Sequence, residues 1–287
     1  MMDRNQGNPS FCLWAPVVVS LVSVFLLVSL ASLDWLRAEG EGGFSEGAIR
    51  WGELLRQGPV REPINTFSNL GFIIVGILVG SIAMRDRLRA SEVLGMNPLN
   101  TGSALCAMFA SAAAFLGPGS AAMHASNTEW GGKVDVFSMY LYVTWGLAYA
   151  LMRLLDLRVR WFWAIYGFLI CFSVARIFFD WNPLNASLNE LFGACILLSL
   201  GGEFLLRAIR RSLTAQWGYL VAAVVAFLIA HRVFWIPNQK GDNFCYPVSS
   251  IPGHGIWHIL SALAILFTFL YLRSEKPAVS RQGSGRR

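Results

Sequence analysis

Residues 14–33 read Trp-Ala-Pro-Val-Val-Val-Ser-Leu-Val-Ser-Val-Phe-Leu-Leu-Val-Ser-Leu-Ala-Ser-Leu, with no charge anywhere in the run. About 20 such residues, wound as a helix, cross the hydrocarbon core of a bilayer. Water is absent there, so the backbone must satisfy its own hydrogen bonds, and a helix does so within one segment. Seven more stretches of the same kind follow, over 65–84, 104–124, 134–154, 160–179, 186–206, 216–236 and 253–272. The composition agrees. Of 287 residues, 55% are hydrophobic and 14% are charged, and the mean hydropathy is +0.51. A soluble domain is about 25% charged. Disorder, collagen, coiled coil and most soluble enzymes are excluded, and the expected fold is an all-α polytopic membrane protein. The first span could also be read as a cleaved signal peptide. Its weakly charged start (Asp3, Arg4) and its length favour an uncleaved helix.

A net charge of +6 raises the question of nucleic acid, and the placement of the charges answers it. Arg85, Arg87 and Arg89 follow the second span. Arg153, Arg158 and Arg160 surround the turn after the fourth, and Arg207, Arg210 and Arg211 follow the sixth. Arg273, Lys276, Arg281, Arg286 and Arg287 follow the eighth. Positive charge in alternate loops is how membrane proteins set their orientation, whereas a nucleic-acid surface needs a soluble basic face with aromatics. No nucleic acid is expected. The arginine-rich side is expected to be cytoplasmic, with both termini there. The expected membrane is the inner membrane if the source is bacterial, or that of an internal organelle if it is eukaryotic. Cys12, Cys106, Cys171, Cys195 and Cys245 form no CxxC pair and no zinc-finger spacing. Residues 34–61 are rich in glycine and charge, with a helical stretch expected around Ile49–Arg56. The tail from Lys276 is expected to be disordered.

Ionisable residues inside a membrane are costly and are functional hypotheses by default. The chain has four histidines: His124, His231, His254 and His258. The third span ends at His124 on the outer side, the eighth starts there with His254 and His258, and Asp135 opens the fourth span on that same side. His254 and His258 are i and i+4, on one helix face, as in metal-binding H-E-x-x-H helices. Ser120 and His124 repeat the spacing. Three imidazoles and a water make the open tetrahedral set of a catalytic zinc site, while magnesium or calcium would prefer oxygen ligands. Taken singly, each residue has a plainer reading. A histidine at an interface is commonly a hydrogen-bonded amphipath, Ser120 between Gly119 and Ala121 suits close helix packing, and Asp135 suits a helix N-cap. The coincidence of three histidines at one depth argues for a metal. His231 is read as an interfacial or pocket residue. Arg176 and Asp180, i and i+4, are read as a helix-stabilising ion pair.

The same residues carry a family resemblance. Ser120-Ala-Ala-Met-His124 with Asp135, and His254-Gly-Ile-Trp-His258, resemble the S-x-x-x-H…D and H-x-x-W-H motifs of the alkaline ceramidase family. Glu62-Pro-Ile-Asn-Thr-Phe-Ser-Asn69 resembles its signature at the first core helix. The resemblance covers about residues 50–272. It implies a seven-transmembrane-helix core preceded here by one extra N-terminal helix. The layout is then 1–36 for the extra helix, 37–61 for an outer segment, 62–272 for the hydrolase core and 273–287 for the tail. It further implies zinc on His124, His254 and His258, with Asp135 hydrogen-bonding the metal-bound water and Ser120 supporting the substrate carbonyl. The implied reaction is hydrolysis of the N-acyl amide of ceramide or a similar membrane lipid. Calcium is a second implied cofactor, at Glu53 and Glu62. Here Arg50 stands where the family has an acidic ligand, which weakens that site. Cys245 resembles a bridged cysteine whose expected partner position is Gly52, so that bridge is not expected. Asn65 is read as structural, with a place on the site wall.

A nucleophilic Ser120–His124–Asp135 triad is the rival mechanism, and it leaves His254 and His258 without a role. The rival functions are a seven-helix receptor or scaffold with a structural metal, and a transporter or electron carrier. Against the last stand the lack of inverted repeats and of haem ligands on facing helices.

Overall fold

A computed structural model describes residues 8–32, 49–89, 99, 103–210, 213–238 and 252–277. They fold into helices α1 (Phe11–Ser32), α2 (Pro63–Ser68), α3 (Leu70–Arg89), α4 (Ser103–Ser126), α5 (Glu129–Leu154), α6 (Val159–Phe178), α7 (Leu188–Ile209), α8 (Trp217–Ile229) and α9 (Gly253–Arg273). Helix α2 runs into α3 through Asn69 as one span. Helix α8 continues through a wider π-helical turn, Ala230–Trp235. Among the described residues, eight spans are long and apolar enough to cross a membrane, and the chain is an all-α multi-pass membrane protein. Cys245 and most of the tail lie outside the described residues.

The expected helical stretch at Ile49–Arg56 is instead a hairpin. Strand β1 (Ile49–Arg50) pairs antiparallel with β2 (Glu53–Leu54). The turn between them is Trp51-Gly52, both at positive φ (50° and 74°). A two-residue hairpin turn needs that geometry, and glycine adopts it at no steric cost. A second short pair, β3 (Leu213–Thr214) with β4 (Lys276–Pro277), ties the start of α8 to the end of α9.

Helix α4 is the centre, with 78% of its apolar window buried. It packs against α1, α3 and α5, while α9 packs against α8 and α3. In lipid no hydrophobic force draws helices together, so close backbone approach through small residues matters. A Cβ at Gly76 of α3 would lie 2.6 Å from the Ala110 carbonyl and from Ala114 of α4. At Gly119 of α4 it would lie 2.5 Å from Ser138 of α5. In the bundle's middle Phe109 meets the Trp145 ring edge-on at 4.9 Å.

The two ends of the bundle differ. At one lie the end of α4 and the starts of α5 and α9, with all four histidines among the helix ends. At the other lie most of the arginines, several of them paired. Arg153 bridges Glu203 and Glu275, Arg207 reaches Glu275 at 2.5 Å, and the Tyr271 hydroxyl donates to Glu203 at 3.2 Å. Asp86 of α3 accepts from Arg273 of α9. This network joins α5, α7 and α9.

Candidate active site

The site is built where a short segment returns against the end of α4. The last carbonyls of a helix have no partner within it. Here the backbone N–H groups of Arg61 and Glu62 donate to the Ala125 and His124 carbonyls at 3.0 and 3.1 Å. That pairing sets the Glu62 carboxylate, fully buried, beside His124. Oε2 of Glu62 meets His124 Nδ1 at 2.6 Å and accepts from Asn65 Nδ2 at 3.0 Å. Oε1 accepts from Asn127 Nδ2 at 2.7 Å. Asn127 closes α4 with a positive φ of 54°. A carboxylate only accepts, so the imidazole proton sits on Nδ1 and Nε2 keeps its lone pair. That Nε2 is buried with no hydrogen-bond partner.

His258 is held in a parallel way. Its Nδ1 lies 2.7 Å from Ser68 Oγ, whose own proton goes to the Asn65 carbonyl at 2.8 Å. Ser68 therefore accepts from Nδ1–H, and again Nε2 faces the site. His254 is covered by the Trp51 ring, centroids 4.7 Å apart. His124, His254 and His258 are each at most 4% exposed. Their ring centroids are 4.6 to 5.0 Å apart, and one ligand nitrogen from each lies within 4.8 Å of the others. Buried imidazoles cannot remain with naked lone pairs at no cost. Three converging nitrogens, with two rings oriented by a carboxylate and a hydroxyl, can hold a metal ion.

Ser120 and Asp135 meet across the close α4–α5 contact. Gly119 takes the packing position, and Ser120 faces the cavity that His254 and His258 also line. Ser120 lies beside the Asp135 carboxylate, which is within electrostatic range of His124. The helix cap that Asp135 was suited to is Thr128, which accepts from the Gly131 N–H at 3.2 Å. The cavity measures about 1150 Å³ and runs from the histidines, past Met139, Trp145 and Leu200, to Glu203 and Tyr271 at the arginine end.

Several expected site residues sit differently. The two carboxylates assigned to calcium are both committed to donors of this chain. Glu53 accepts from the Ile64 and Asn65 N–H groups at 3.0 and 2.9 Å, capping α2 from a distance because Pro63 leaves the helix start without a side-chain cap. Glu62 orients His124. Asn65 is fully buried behind the site and is not on the cavity wall. It bonds Glu62 and the Trp51 carbonyl. The Arg176–Asp180 ion pair does not form. Helix α6 ends before Asp180, whose φ of 52° turns it out of the i, i+4 relation. His231 lies outside the metal cluster, stacked on Trp235 at 4.9 Å. Ser68, which the sequence marks with Asn65, Thr66 and Asn69 as a polar group suited to bonding a neighbouring helix, does so, to His258. Sequence reading missed Asn127, which no local spacing signals because it acts across distant segments.

The sequence profile of the ceramidase family matches residues 58–282. The chain belongs to the ceramidase family. Ceramidases hydrolyse the amide bond of ceramide, and this chain is a membrane hydrolase of that class. The matched region holds every histidine and acidic residue of the site except Glu53, and it leaves α1 outside. No curated protein matches the chain.

Proposed function

We propose that this ceramidase is a zinc-dependent amidase that cleaves the N-acyl bond of ceramide or a closely similar lipid to a free fatty acid and an amine. The observation that carries this is the buried trio of histidines with an unpartnered Nε2 at His124, opening on an apolar cavity beside Asp135. Nitrogen-only ligands suit zinc and not calcium or magnesium.

His124, His254 and His258 hold the ion. When bound, zinc supplies Lewis acidity, bringing the pKa of water to about 7 and polarising an amide carbonyl. Asp135 stands where it can take the proton of the attacking water and return it to the leaving nitrogen. The Ser120 hydroxyl stands beside that carboxylate, and by turning about its Cα–Cβ bond it can donate to the carbonyl oxygen as charge develops there. Glu62 and Ser68 fix the imidazole rings. The apolar wall excludes water from all but the reacting end and takes the lipid's hydrocarbon. Bound in this way, the substrate need not leave the bilayer. Glu53 and Glu62 each hold donors of this chain, which leaves fewer oxygen lone pairs for calcium. Both termini lie on the cytoplasmic side and the site near the outer face. The arginines gathered at the opposite end of the bundle support that orientation.

The test is metal analysis of the purified protein alongside hydrolysis of ceramide. About one zinc per chain is expected, with chelation abolishing release of fatty acid and zinc restoring it. His258→Ala should lose both metal and turnover. Undiminished hydrolysis by metal-free protein would refute the zinc reading.

A further inference from the structure

One charged group on the cavity wall takes no part in the hydrolytic machinery. Arg176 lines the cavity, and its Nε is buried with no hydrogen-bond partner. Nη2 donates to the Ala186 carbonyl at 3.4 Å, longer than an ordinary N–H···O bond. Among the described residues no carboxylate forms an ion pair with it. The other cation on this rim, Lys133, is taken up by Glu129 at 2.8 Å, and Asp180 lies within electrostatic range of Lys133. Arg176 stands two residues before the end of α6, as His124 does before the end of α4, so both lie near the same end of the bundle. Arg176 is half-buried; below it the cavity wall between α5, α6 and α7 is apolar, formed by Val136, Met139, Ile177, Phe192 and Ile196, while the rim also carries Glu129, Lys133, Asp180 and Asn189.

A guanidinium kept against an apolar wall is costly unless an anion meets it, and its planar fork matches a carboxylate. Ceramide offers none, but its hydrolysis does. Water adds across the amide C–N bond. The acyl carbon keeps the oxygen and the nitrogen takes a proton. At neutral pH the acid's remaining proton also passes to the amine, so a neutral lipid becomes a carboxylate and an ammonium. We propose that Arg176 binds the carboxylate of the released fatty acid, with its chain in the lobe between α5, α6 and α7. This rests on the hydrolytic reading for the origin of the acid, though the site itself requires only an oxyanion on an alkyl chain. An anionic lipid headgroup presents the same chemistry.

Binding separates these sources. Full-length, zinc-loaded protein in neutral nanodiscs is titrated with oleic acid, oleyl alcohol and a phosphorylated N-acyl lipid. The wild type is expected to prefer oleate over the alcohol by roughly tenfold, the order of one charge-assisted pair. Arg176→Met should bring that ratio close to one, and Arg176→Lys, which keeps the charge without the fork, should retain part of it. His258→Ala should leave the preference intact, because a carboxylate held by the metal would lose it there. An unchanged ratio in Arg176→Met, or a ratio lost only in His258→Ala, overturns the assignment. A stronger, Arg176-dependent preference for the phosphorylated lipid assigns the site to a headgroup and overturns the product reading. Protein that turns over no ceramide yet shows the Arg176-dependent ratio would refute the hydrolytic reading and leave the carboxylate site standing.

Discussion

His124 and His258 present the same nitrogen to the site but are held by groups of different strength. Glu62 grips His124 with a buried carboxylate, while Ser68 holds His258 with a neutral hydroxyl. Outer partners of this kind set ring orientation and basicity, and their loss typically costs about 10–100-fold in metal affinity. Glu62→Gln should therefore fall toward the upper part of that range and Ser68→Ala toward the lower, as measured by competition with a zinc chelator. Equal effects would show that ring position, not charge, is what the partners supply. Glu62 also shows where sequence reading stopped. A glutamate before a proline at a helix start was recognisable as special, and the resemblance assigned it to calcium. Its partner, His124, lies 62 positions away, and only the return of residues 61–62 against the end of α4 brings them together. Ser68 was legible as a group that bonds a neighbouring helix, but its partner His258, 190 positions away, was not, for the same reason.

At the scale of the helices, the α4–α5 contact decides where Asp135 stands. The turn between the helices is two residues, Asn127 and Thr128, so they run antiparallel, and Gly119 lets them touch one turn from His124. Adding a Cβ at Gly119 would force Ser138 away, and over-packing of this order costs about 1–3 kcal/mol. Gly119→Ala should lower the melting temperature in detergent and cut ceramide turnover more than it cuts zinc content, because it moves Asp135 and leaves the histidines together. The eight spans were legible from hydropathy to within a few residues, since length and apolarity are local properties. The hairpin at 49–54 was not. Its signal is one glycine in a mixed stretch, and its stability comes from Glu53 reaching over to α2. The Arg176–Asp180 pairing failed because the helix stops at Phe178, before the second residue, which lay one position beyond the apolar run 160–179.

Taken whole, the molecule has a reactive end and a tied end. Arg153, Glu203, Arg207 and Glu275 are all nearly buried at the latter, and removing one member strands a charge, at about 3–5 kcal/mol. Glu203→Ala should thus destabilise the protein strongly in chemical or thermal denaturation while leaving the zinc stoichiometry of the folded fraction unchanged. Gly146 lines the cavity between these ends, and a Cβ there would meet nothing closer than Ser199 Oγ at 3.6 Å. A phenylalanine ring built on that Cβ would enter the passage about 16 Å below Asp135 along α5. Gly146→Phe is expected to retain hydrolysis of short-acyl ceramides and lose that of long ones, and loss of both alike would place the chains elsewhere.

The depth of that passage has a consequence for the membrane around it. From His258 to Leu272, α9 borders it over roughly 21 Å, whereas one leaflet of a hydrocarbon core of about 30 Å is near 15 Å thick. A tail drawn fully inside therefore crosses the bilayer midplane, which its former neighbours do not. Capture lifts it out of step with the lipids it left, so the cohesion of the surrounding leaflet becomes part of the barrier, and fluid, loosely ordered patches are where this enzyme should work fastest.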